Sequence, residues 1–64
     1  MRHPNITVEL VGTDGNAYAV LGKVQRALRD AGVPEAEVQT YVAEATSGDY
    51  DQLLQTTMRW VGVA

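Results

Sequence analysis

The chain has 64 residues, a formal net charge of −3, 45% apolar residues and no cysteine. A domain this small buries only about 60% of the surface its unfolded chain exposes, and its core rarely supplies more than about 3–5 kcal/mol net. The missing cysteines exclude disulfides and a thiolate zinc site, and the single His3 cannot build a multi-histidine one. The acidic balance argues against general nucleic-acid binding, which needs many cationic contacts to phosphates. Self-association is the stabilising aid that remains.

In chain order, the first pattern is an alternation. Ile6, Val8 and Leu10 interleave with Thr7, Glu9 and Val11, a period of two that predicts a half-buried strand. Pro4, with no N–H to offer a ladder, suits its start. Residues 1–5 are expected to be flexible, leaving His3 in a frayed end. The turn Gly12-Thr13-Asp14-Gly15-Asn16 follows. Asp14 or Asn16 can cap a helix there, and Gly15 can supply a positive φ.

Ala17, Leu21, Val24, Leu28 and Ala31, widened by Val20 and Ala27, make the stripe of an amphipathic helix. Lys23, Arg26 and Arg29 lie on another face. A rival reading makes Asp14-Gly15 a hairpin turn, with Tyr18 and Val20 on a second strand; the unbroken stripe favours the helix. Gly22 costs roughly 1 kcal/mol against alanine in a helix and suggests close approach of another backbone. Gly32 stands where a helix-terminating glycine would, before Val33-Pro34.

Pro34 fits the first position of a second helix, with Val38, Tyr41, Val42 and Ala45 on one face and Glu35 and Glu37 near its positive end. Gly48 ends it. Asp49 and Gln52 form the two ends of a capping box for a third helix, in which Tyr50, Leu53, Leu54 and Thr57 share a face. Met58 to Val63 reads as a β-favouring close. The order is β-α-α-α-β: a single α+β domain over residues 1–64 with a two-stranded sheet, open to extension by oligomerisation.

The chemistry available is that of binding. The first turn could hold an anion at a helix start through Thr13, Asp14, Gly15 and Asn16, helped by Lys23 and Arg26. It lacks the lysine of a phosphate-binding loop and the three spaced glycines of a dinucleotide fingerprint. Asp49 and Asp51, even with Asp14, fall short of the roughly 6–8 oxygens of a calcium site. No nucleophile, base and orienting acid occur together, so no enzyme is expected, and no cofactor or metal. Tyr50 and Trp60 are the aromatics expected to be partly exposed, able to stack on a base or anchor a protein. The longest apolar run is too short to span a membrane, and the N-terminus lacks the apolar core of a signal peptide, so a cytoplasmic protein is expected.

Asp14-Gly15-Asn16-Ala17, Leu21-Gly22-Lys23-Val24 through Arg26-Ala27-Leu28 to Ala31-Gly32-Val33, Glu44-Ala45-Thr46-Ser47-Gly48-Asp49-Tyr50-Asp51, and Leu53-Leu54 leading to Met58-Arg59-Trp60-Val61 together span nearly the whole chain. In these residues it resembles a family of short, uncharacterised proteins of bacteria and their phages. The resemblance implies that the two polar turns belong to the family pattern and carries no assigned activity; a phage setting suggests an inhibitor or a ligand-sequestering protein. Two functions are therefore expected. The first is a non-catalytic protein–protein interaction module, homo-oligomeric, meeting its partner through the first helix or a sheet edge. The alternative is a binder of a small nucleotide-like anion at the Gly12–Asn16 turn.

Overall fold

A computed structural model describes residues 2–10, 12 and 15–64. Val11, and the candidate site residues Thr13 and Asp14, lie outside the described residues. The elements run β1 (His3–Val8), α1 (Ala17–Asp30), α2 (Glu35–Ala45), α3 (Tyr50–Trp60) and β2 (Val61–Val63). The two strands pair in parallel. A parallel pair needs a long crossover, and the three helices supply it.

β1 starts and ends earlier than the alternation suggests. Residues 3–5, assigned by sequence to a flexible end, belong to the strand, and His3 is half-buried. Pro4 is tolerated within it because the pairing is irregular there: His3 faces Val61, while Thr7 already faces Gly62. A bulge is one place where a strand can lack an N–H. Backbone bonds extend both ends of the ladder, from Arg2 N–H to Arg59 C=O at 2.9 Å and from Ala64 N–H to Val8 C=O at 3.0 Å.

α1 is the helix that the apolar stripe predicts, and the rival second strand is absent: Ala17 to Asp30 is helical throughout. Asn16 caps it, its side-chain oxygen accepting from the Ala19 N–H at 3.0 Å. Gly15 has φ +70° and Gly32 φ +84°, both conformations that favour glycine. At Gly32 the helix closes as a Schellman motif. Gly32 N–H donates to Arg29 C=O and Val33 N–H to Leu28 C=O, each at 3.0 Å.

The expected reason for Gly22 does not hold inside the chain. It is exposed, and nothing lies within 4 Å of where a Cβ would stand. Glycine there carries only its entropic cost, so Gly22→Ala is expected to stabilise the chain by about 0.5–1 kcal/mol in urea denaturation. A lowered midpoint would show that Gly22 has a contact beyond this chain.

α2 starts one residue later than expected, with Pro34 as its N-cap (φ −57°) and Glu35 as its first helical residue. It ends at Ala45, with Thr46 as its C-cap, and not at Gly48. Gly48 instead makes room for the next helix: a Cβ there would sit 3.0 Å from both Cβ and Cγ of Gln52. α3 runs through Met58, Arg59 and Trp60, residues read by sequence as β-favouring, and passes directly into β2 at Val61. The core joins Ile6 and Val8 of β1, Val20, Val24 and Leu28 of α1, Val38, Tyr41 and Ala45 of α2, Leu53 and Trp60 of α3, and Val61. Val61 is thus inside, while Val63 is 40% exposed. The radius of gyration, 10.5 Å, matches the roughly 11 Å expected of a chain this long that closes on its own core.

Candidate functional site

The fold sets the first turn of α1 against the second polar turn. The start of α1 and the α2–α3 connection face each other across a groove of about 210 Å³. Ala17, Leu21, Tyr50 and Leu53 line it, together with the polar Thr46 and Asp49. Tyr18 stands on its rim, 87% exposed, the most exposed large apolar side chain among the described residues.

The second turn is held by its own polar groups. Asp49 accepts from the Gln52 N–H at 3.0 Å and caps α3. The capping box is only half formed, however. The Gln52 amide does not reach back but donates to Thr56 Oγ1 at 3.3 Å, one turn onward. Asp51 accepts from Gln55 at 2.8 Å. Thr46 and Ser47 hydroxyls donate to Val42 and Glu44 carbonyls, each at 2.7 Å, satisfying the end of α2. Asp49→Ala should therefore cost about 0.5–2 kcal/mol through loss of the cap, with the fold intact. Chemical denaturation reads it, and an unchanged midpoint would refute the cap.

Among the candidate site residues, Gly15 and Asn16 immediately precede the groove's first wall residue and Tyr50 lines it. Lys23 and Arg26 do not line it. Lys23 donates from Nζ to the Glu9 carbonyl at 3.2 Å, beyond the end of β1. Arg26 is highly exposed, 3.9 Å from Asp30 on its own helix. The basic stripe is thus divided. Arg29 bonds across the α1–α2 turn to both oxygens of Glu35, at 2.9 and 2.8 Å. The hydrogen bond from Arg29, then that from Gln39, hold the Glu35 carboxyl well down, from the ordinary 4.5 to about 2.

Trp60 also lies elsewhere and is not partly exposed: it is 1% accessible. Tyr41 meets it edge-on at 5.6 Å between ring centroids, and the Arg2 guanidinium lies 4.3 Å over its ring. Its indole N–H donates to Glu44 Oε1 at 3.4 Å. His3 is 6.0 Å from the same ring and bonds Glu37 Oε1 at 2.8 Å. This cluster fastens β1 to α2 and α3. Beside it, burial pushes the Tyr41 phenol up. Among the described residues no group of three or more His, Cys, Asp or Glu is placed to hold a metal ion, and no helix is long and apolar enough to cross a membrane.

Sequence reasoning missed Tyr18 as a site residue. The signal was present: Tyr18 falls off the stripe of Ala17, Leu21, Val24 and Leu28, so a helix burying that stripe turns an aromatic outward. Comparison with protein-family models, with curated proteins and with solved structures returned no match.

Proposed function

We propose that the chain is a non-catalytic binding protein acting by protein–protein contact as a homo-oligomer, with the groove beside α1 as its docking surface. The observation that carries this is the exposed Tyr18 on the rim of an apolar-walled groove. A rigid aromatic beside a concave apolar surface is what the centre of a protein interface is made of. The groove is poorly suited to the alternative, a small nucleotide-like anion. Asn16 and Asp49 already occupy the starts of α1 and α3, the Asp49 carboxylate would repel an anion, and neither Lys23 nor Arg26 lines the groove. A regulatory or inhibitory role in a bacterial or phage setting, suggested by the sequence resemblance, belongs to the same proposal.

Sedimentation equilibrium over a dilution series tests it, beside a thermal-shift series with nucleotides. The expected result is a mass that rises with concentration and a melting temperature indifferent to nucleotide. A chain that stays monomeric to millimolar concentration, or one that nucleotide stabilises, overturns the reading; a ligand at 100 times its Kd would add about 2.7 kcal/mol.

A further inference from the structure

We infer that residues 2–5 form a strap over Trp60, clasped by the Glu37 carboxylate, which opens without unfolding the rest of the chain. β1 is built in two unequal parts. Its second half is anchored. Ile6 and Val8 belong to the core, Thr7 and Val8 pair with Gly62 and Val63, and the Ala64 N–H donates to the Val8 carbonyl. Its first half, with Arg2 before it, has no such burial: Arg2, Pro4 and Asn5 are exposed and His3 is half-buried. The irregularity in the pairing falls between His3 and Thr7, where the two parts join. Pro4 has no N–H to carry the ladder across that stretch. A segment with little apolar burial, set off by a break in its ladder, is one that opens locally at less cost than global unfolding.

The strap is held at its tip. His3 Nε2 lies 2.8 Å from Glu37 Oε1, and Arg2 Nη1 lies 4.0 Å from the same oxygen. One carboxylate oxygen in the first turn of α2 therefore faces both strap side chains. Held so, the Arg2 guanidinium lies 4.3 Å over the Trp60 ring. The clasp is wet: the side chains of Arg2, His3 and Glu37 are 52%, 20% and 33% accessible. Contacts between part-exposed charges are exchanged for water at small cost. The remaining tie at the tip is the bond from Arg2 N–H to Arg59 C=O.

Trp60 itself is seated from the other direction. Tyr41 meets its ring edge-on, and Glu44 takes its indole N–H, both from α2. Lifting the strap therefore bares one side of the indole and leaves the ring in place. The exposure of this aromatic is thus set by a segment that contributes no core residue of its own.

Trp60 is the one tryptophan of the chain, so its emission reads the strap directly. Wild type, Glu37→Ala, the double variant Arg2→Ala/His3→Ala and the triple variant are compared by acrylamide quenching and by circular dichroism melting. Glu37→Ala is expected to raise the open population about tenfold, the loss of one hydrogen bond to a charged group. Quenching then increases and the emission shifts to the red, while the helical spectrum and a cooperative melt are kept. In the double variant the clasp has nothing left to hold, so adding Glu37→Ala is expected to change quenching no further. A folded Glu37→Ala with wild-type quenching overturns the clasp. Quenching that rises only together with loss of helix overturns the strap as a separately opening unit. A further rise in the triple variant overturns the inference as well, because Glu37 would then act on Trp60 by a route other than Arg2 and His3.

Discussion

Trp60→Ala is expected to leave the chain without a cooperative folded state at room temperature. Trp60 is the last residue of α3 and is joined directly to β2, so its ring fixes a helix and a strand at one point. It packs edge-on against Tyr41, lies under Arg2, neighbours His3 and donates its N–H to Glu44. Removing a buried Trp to Ala costs about 3–5 kcal/mol through lost transfer energy and the cavity left behind. A 64-residue core supplies about the same amount net, so one substitution consumes the stability of the domain. Circular dichroism on heating should show a shallow, non-cooperative loss of helix. A sharp transition within a few degrees of wild type would mean that the cluster of Arg2, His3, Tyr41 and Trp60 is peripheral. Trp60→Phe, which keeps an aromatic ring but loses the N–H and part of the area, should fall between the two.

That residue also marks where the sequence stopped being legible. α1 could be read almost completely, because three independent signals agree there. They are the stripe from Ala17 to Leu28, a polar residue at Asn16 that can accept from Ala19, and Gly32-Val33 in the positions a Schellman closure requires. α3 carried a good start signal in Asp49 and no stop signal. With neither glycine nor proline before Val61, local preference favoured a strand from Met58, whereas burial of Thr57 and Trp60 on the same face as Leu53 keeps the helix going to its last turn. Tertiary packing overrode propensity, and Trp60 moved from an exposed candidate to the core.

At β1 the misreading came from Pro4. It looks like a boundary, and only the irregular pairing between His3 and Thr7 lets it sit inside a strand. The site was legible only in pieces. Both polar turns could be seen, with their caps, but the groove between the start of α1 and the α2–α3 connection depends on how α2 and α3 pack against α1, and no local period records that. The basic residues show the same limit. Lys23, Arg26 and Arg29 share a spacing in sequence, yet Lys23 turns to a carbonyl beyond β1 and Arg29 to a carboxylate at the start of α2.

Thr57→Val is expected to cost about 1–3 kcal/mol, although valine has nearly the shape of threonine and the position is fully buried. Proton bookkeeping gives the reason. The Thr57 hydroxyl has one hydrogen, which it donates to the Leu53 carbonyl at 2.9 Å. The contact of 2.8 Å between Tyr41 Oη and Thr57 Oγ1 must then run from the phenol to the threonine oxygen. Valine removes that acceptor and strands a buried O–H, whose desolvation goes uncompensated. Tyr41→Phe removes the donor instead and leaves Thr57 bonded to Leu53, so it should cost only about 0.5–1.5 kcal/mol. In the double variant neither polar group remains. Replacing both partners by apolar groups of the same shape is far less costly than orphaning one, so Tyr41→Phe should partly rescue Thr57→Val. Urea denaturation of the four proteins in this cycle measures the coupling directly. The sign is the test: a double variant as unstable as the two single losses added together would mean that the Tyr41 hydroxyl finds another partner once Thr57 is gone.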